Sequence, residues 1–275
     1  MNVLLLFLFI KITLEHCGFT PKSPQYRLEE PNNLRRLQSR APYQPIRIYF
    51  DYTTLDSQID ISYETKDNVK KILSITKLVY ERLLLVQRFN FALKIPVCDD
   101  RILISSAVSS VGVNADLVIF PFVDTTPSGS TQAYASGCVL AATNNRPVAG
   151  IIGFTKNLDS TVGNWMEYFV SLAVHELAHV LVFNPSIFDL FIDEDWNTIP
   201  ISKVVTTKVI NDVERQLIIT PKVLEAARRH FNCSDLIGVE LENQGGEGTA
   251  GSHWEARVML SDLMIGVAYD ESVIS

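Results

Sequence analysis

The residues with the clearest chemical potential are the two histidines and the glutamate of His175-Glu176-Leu177-Ala178-His179. On a helix of 3.6 residues per turn, four steps return to within about 40° of the start, so both imidazoles can reach one ion. Glu176 then stands beside that ion without ligating it, placed to take a proton from a water. A catalytic zinc takes three protein ligands and keeps a fourth position open. Candidates for the third are Glu194, Glu214, His230 and His253. His230, in Arg228-Arg229-His230, reads as solvent-facing. His253 directly follows the glycine cluster 245–251. A five-residue pattern also arises by chance, and the alternative is a pair of core histidines satisfied by hydrogen bonds. Two histidines and a glutamate in an apolar stripe cost desolvation energy unless something pairs with them, as one zinc ion and its water would.

The element that must carry this pattern is a long apolar helix over about 163–183, with Asn164 and Glu167 spaced as a capping box and Asn184-Pro185 as its stop. Ahead of it, Ile46 to Phe50 reads as a strand. A second long helix is expected over about 63–90, through Val69, Ile72, Leu73, Leu78, Val79, Leu83 and Val86. Short strands are expected at Ile102 to Ser105, Leu117 to Phe120, Gln132 to Ser136 and Val148 to Phe154, separated by turn residues such as Pro127-Ser128-Gly129. These make a mixed sheet. Residues 185–205 carry no clear period, and Pro221 to Phe231 reads as a helix with proline in its first turn.

With 275 residues, 47% of them hydrophobic, the chain can bury one sizeable core and a small second lobe. A net charge of −7 offers no basic face for a phosphate backbone, so no nucleic-acid partner is expected. Val3 to Ile10 is an apolar run too short to span a membrane, and residues 1–14 read as a secretory signal. Residues 15–40, rich in Pro, Asn, Glu and Arg, read as a pro-segment or linker, with folding beginning after it. The four cysteines, Cys17, Cys98, Cys138 and Cys233, form no CxxC pair, so a cysteine-only zinc site has no support. Asn232-Cys233-Ser234 is an N-glycosylation pattern compatible with an extracellular route.

The segment from Gly245 through His253-Trp254-Glu255-Ala256-Arg257, followed by Asp262-Leu263-Met264, resembles the leishmanolysin family of metzincin peptidases. Ala133 to Cys138 and Asn145 to Gly150 are similar to it as well, and the resemblance extends from about Pro45 to the end. It implies an α+β, metzincin-like catalytic domain: a twisted mixed sheet, the two long helices, and a mostly irregular and helical lower lobe. Residues 41–184 would form the N-terminal catalytic subdomain, and 185–275 the inserted and lower subdomain. It further implies one zinc ion held by His175, His179 and His253, Glu176 as catalytic base, and Met264 on a tight turn beneath the metal. Ala133 to Ser136 would be an edge strand able to bind an extended peptide. Cys98 and Cys138 match a family disulfide. Cys233 resembles a cysteine whose partner lies in a C-terminal lobe absent here, so it is expected to be unpaired and the chain truncated, eleven residues following Met264. Glu15-His16-Cys17 is similar to the family's prosegment motif, which would make Cys17 a latency cysteine; the alternative assigns it to the signal peptide.

Most metzincins carry glycine three positions after the second histidine. This chain has Val182, whose β-branch resists positive φ, so the helix is expected to run to Phe183 and turn at a left-handed Asn184. The function implied is a secreted or cell-surface zinc endopeptidase acting on protein or peptide substrates. The rival is a truncated homologue serving as a surface or adhesion protein that cleaves nothing.

Overall fold

The computed structural model describes residues 23–28, 42–126, 131–155, 158, 164–246, 248–260 and 262–266. The signal and Cys17 expectations, Gly163 and the 127–130 turn lie outside these residues. The chain opens with β1 (Tyr26–Leu28), β2 (Tyr43–Pro45) and β3 (Ile48–Phe50), then α1 (Thr53–Ser57) and the long α2 (Tyr63–Leu83). After β4 (Leu85–Gln87) come three long strands, β5 (Leu117–Asp124), β6 (Ala133–Ala141) and β7 (Pro147–Thr155), and then the helix α3 (Trp165–Leu181). The remainder holds β8 (Val205–Ile210), β9 (Val213–Ile218), α4 (Pro221–His230), β10 (Val239–Glu240) and α5 (Ala256–Met259).

The main sheet has the order β1-β6-β7-β5-β3 and is mixed: β6 runs antiparallel to β7, and the other pairs are parallel. Every residue of β7 and all but the last of β5 are buried, as a sheet covered on both faces requires. On one face, α2 and α3 bring Val69, Ile72, Leu73, Phe169, Ala173 and Leu177 against Ile119, Ile152 and Phe154. The opposite face is closed by Phe89, Leu93, Ile95 and Val108 over Val118, Phe120 and Ile151. Leu177 is fully buried beside both histidines of the motif. Truncating such a leucine to alanine costs about 2–5 kcal/mol through lost transfer energy and the cavity left behind.

Ser62 starts α2 by accepting the Thr65 amide at 3.1 Å. The helix ends at Leu83, seven residues short of the expected limit, because Leu84 turns extended and Leu85–Gln87 pairs with β2. Val86 continues the apolar spacing, but as a strand residue. Ile102 to Ser105 forms no strand. Side chains take its amides instead: Thr54 Oγ1 accepts from Leu103 at 2.8 Å, and the Asp51 carboxylate from Ser105 at 2.9 Å.

At α3, Asn164 makes no side-chain cap, so the expected capping box is absent. At its other end Val182 sits at φ −156°, and the amides of Val182 and Phe183 both donate to the Ala178 carbonyl. Asn184 is extended rather than left-handed (φ −139°), as Pro185 behind it favours. Its Oδ1 accepts from Ser186 N at 2.9 Å, capping the short 3₁₀ turn Pro185–Leu190.

Two further elements depart from the sequence reading. Tyr26–Leu28, within the expected linker, pairs in parallel with Val139–Ala141 and buries Leu28. The hairpin β8–β9, extended to a three-stranded sheet by β10, fills the stretch after residue 204. Its two-residue turn holds Asn211 and Asp212 at φ 52° and 61°, both in the left-handed region a tight hairpin of this twist requires. Cys98 and Cys138 form a disulfide with Cα atoms 5.1 Å apart, while Cys233 is free and exposed.

Candidate metal centre

The helix α3 supplies His175, Glu176 and His179, all buried. It can seat closely on the sheet because Gly150 lacks a side chain. A Cβ there would stand 2.5 Å from Val180 Cγ1 and 2.8 Å from the Ser136 carbonyl oxygen. Val180 is the residue after His179, so this close contact sets the height of the histidines above the sheet. Behind the helix, Tyr80 on α2 donates its hydroxyl to the Val174 carbonyl at 2.7 Å. Burial, and secondarily the negative charge of Glu176, push the Tyr80 phenol far above its ordinary range, so it remains a donor.

His253 arrives 74 residues after His179 on a short segment held from both sides. On one side Glu242 N donates to the His253 carbonyl (2.8 Å), Gly251 N to the Glu242 carbonyl (2.8 Å), and Glu255 N to the Glu240 carbonyl (3.0 Å). On the other, Trp254 N donates to the Met264 carbonyl at 2.8 Å. Gly266 closes this side: an added Cβ would fall 2.3 Å from Thr249 Cγ2 and 3.3 Å from His253 Cγ. The chain therefore passes His253 too closely to admit a side chain there.

The three Nε2 atoms converge, with His175–His179 at 3.0 Å and His253 at 3.2 Å from each of the others. These contacts are not hydrogen bonds, because each Nδ1 faces a carbonyl oxygen and must carry the ring proton. His175 Nδ1 donates to Leu263 O at 2.6 Å, His179 Nδ1 to Phe183 O at 2.7 Å, and His253 Nδ1 to Thr249 O at 3.1 Å. That leaves three lone pairs pointed at one another inside a buried space. Such an arrangement is unfavourable unless a cation sits among them. Tetrahedral zinc with Zn–N bonds of about 2.0–2.1 Å separates its nitrogens by about 3.3 Å, close to the spacing seen.

Protonation does not compete with a cation here at neutral pH. Burial lowers His175 to about 4, opposed only by its bond to Leu263. Burial, with His175 second, lowers His253 to about 3. His179 is pushed well below its usual range by burial and then by its two neighbours. Three neutral imidazoles with fixed tautomers suit a divalent ion.

Among the described residues these three form the one histidine, cysteine or acidic group close enough to share an ion. The other candidate ligands fall elsewhere: Glu194 and Glu214 are exposed, and His230 is exposed at the end of α4 beside Phe231. Glu176 is fully buried one residue after His175. Met264 is buried with Phe183, Leu241 and Trp254, in the turn whose Leu263 carbonyl holds His175. The sequence reading missed the three carbonyls that orient the imidazoles, since a backbone group leaves no mark in residue type. Ala133 to Ser136 pairs with β7 on one side, while β1 covers only the later half of β6 on the other.

The leishmanolysin peptidase family model matches residues 57–273. A leishmanolysin-like peptidase of Drosophila melanogaster is 32% identical over 199 residues, covering 59% of this chain and 28% of that protein. The corresponding peptidase of Caenorhabditis briggsae is 33% identical over 53% of this chain and 26% of its own length. A ciliated left-right organizer metallopeptidase of Xenopus laevis is 33% identical over 49% of this chain and 19% of its own. The chain thus spans under a third of the length of these relatives. The family match takes in both long helices, the histidine cluster and the Met264 turn, and the chain belongs to the leishmanolysin family of peptidases.

Proposed function

We propose that the chain is a zinc-dependent endopeptidase, with His175, His179 and His253 holding one ion and Glu176 as general base. The observation that carries this reading is the convergence of three Nε2 lone pairs while every Nδ1 is tied to a carbonyl. When bound, zinc would polarise the scissile carbonyl and bring the pKa of water toward neutrality. Glu176, fixed on a buried helix face, takes the proton of the attacking water and returns it to the leaving amine, acting as base and then acid. The carbonyls of Leu263, Phe183 and Thr249 hold the imidazoles in one tautomer throughout. An extended peptide could add by main-chain hydrogen bonds along Ala133 to Ser136, where β1 does not reach. Names of relatives that include peptidase and metallopeptidase support protein or peptide substrates.

The disulfide between Cys98 and Cys138 supports secretion or display at a cell surface, where thiols are oxidised. The test pairs Glu176→Ala with the parent chain, reading zinc content and chelator-sensitive cleavage of casein together. The proposal requires that the parent cleave, and that the variant keep its zinc and lose hydrolysis. A parent chain that holds zinc and cleaves nothing would belong to the surface or adhesion reading, and a variant that still cleaves would remove Glu176 from its role.

A further inference from the structure

We infer that Arg215, on the hairpin inserted between the second and third histidines, is a positioning residue that sets His253 for the metal. This rests on the reading of the histidine cluster as a zinc site. Arg215 lies on β9, and its side chain is only 13% exposed. A single nitrogen, Nη1, donates to Glu240 Oε2 at 3.1 Å and to Glu255 Oε2 at 3.4 Å. Those two carboxylates stand on the two segments that run past each other at His253: Glu255 N donates to Glu240 O, and Glu242 N to His253 O. The guanidinium thus ties together, through side chains, the same two segments that the main chain ties at the histidine.

Charge makes the tie decisive. Glu240, Glu242 and Glu255 are gathered here, with Glu242 and Glu255 buried, and among the described residues Arg215 and Arg257 are the cations paired with Glu240 and Glu255. Arg257 is 53% exposed and screened by solvent, whereas Arg215 is largely shielded from it. Without Arg215, the carboxylate of Glu255 on the His253 segment and that of Glu240 on its neighbour would repel, with one exposed cation to offset them. The segment that delivers the third imidazole would move apart from Glu240–Glu242. His175 and His179 sit on α3, away from this pairing, and would keep their places.

The experiment measures zinc affinity by chelator competition, with the visible absorption of the cobalt-substituted chain as a second readout, for Arg215→Ala in the parent and in His253→Ala. Partners that orient a ligand typically contribute 10–100-fold in metal affinity. Zinc should bind Arg215→Ala roughly tenfold or more weakly, with an altered cobalt spectrum. In His253→Ala the same change should add nothing, because the residue acts through that histidine. Arg215→Lys, which can place one nitrogen between the carboxylates, should recover part of the loss. Should Arg215→Ala fail to fold, Arg215→Met, which keeps the aliphatic stem and removes the charge, should weaken zinc in the same direction. Unchanged zinc affinity and cobalt spectrum in a folded Arg215→Ala overturn the inference, as does an equal loss in both backgrounds. A parent chain that takes up no zinc, or whose affinity His253→Ala leaves untouched, overturns the triad reading itself and this inference with it.

Discussion

Gly150→Ala should damage both stability and the metal site, although the substitution adds a single methyl group at a residue that ligates nothing. The new Cβ would lie 2.5 Å from Val180 Cγ1, where ordinary contact begins near 3.4 Å. Either Val180 or the helix must therefore give by about 0.9 Å, since the Ser136 carbonyl at 2.8 Å blocks retreat on the other side. Overpacking of this kind costs about 1–3 kcal/mol. For a domain of this size that is a fall of roughly 2–12 °C in melting temperature. Val180 adjoins His179, so the same displacement reaches the Nε2 cluster, where misplacement of about 1 Å is worth on the order of 100-fold in rate. Calorimetry gives the first quantity, and hydrolysis of a fluorogenic peptide under saturating zinc the second. Val180→Ala added to Gly150→Ala should restore part of both, giving less than additive losses. A Gly150→Ala chain with parental melting temperature and rate would refute the claim that this close approach sets the height of α3.

The metal-free chain should lose stability as pH falls below the ordinary histidine value. The folded values of His175 and His253 lie near 4 and 3, below those of the unfolded chain, so the stability their neutral forms contribute is complete above about 6.5. It then falls by about 1.4 kcal/mol per pH unit for each histidine as pH drops toward 4. Urea midpoints at pH 7.5 and 5 check this, and equal midpoints would contradict it. Reducing the Cys98–Cys138 bond, which closes a loop with a sequence separation of 40, should cost about 4 kcal/mol by loop entropy, read as a shift in urea midpoint on adding reductant. Asp116→Ala should cost about 3–5 kcal/mol, because the buried carboxylate accepts from Arg47 Nε at 2.8 Å and from the amides of Arg47 and Phe89. Thermal denaturation of that variant measures the loss.

The parts of the fold legible in the sequence are those whose signal is periodic. The apolar spacing of α2 and α3 and the continuous apolar runs of β5 and β7 identify elements that bury whole faces. Ends were less legible: Leu84 leaves the helix because β2 offers its main chain a partner, which no residue near Leu84 announces. Ile102 to Ser105 has strand composition, yet its amides are held by Thr54 and Asp51, some fifty residues away. The β8–β9 hairpin does carry a signal in its sequence, Asn211-Asp212 between two six-residue runs. In the candidate site, helical spacing alone puts His175 and His179 side by side, whereas placing His253 with them from sequence rested on family resemblance. The long excursion between them has its own sheet, and helix periodicity says nothing about where that sheet returns the chain.

The most direct measurement is X-ray absorption at the zinc edge of the purified, zinc-loaded chain. Three imidazole nitrogens at about 2.0–2.1 Å with one further light atom are expected. His253→Ala should reduce the imidazole count by one. A first shell containing sulfur, or one that keeps the same number of imidazoles in His253→Ala, would contradict the account.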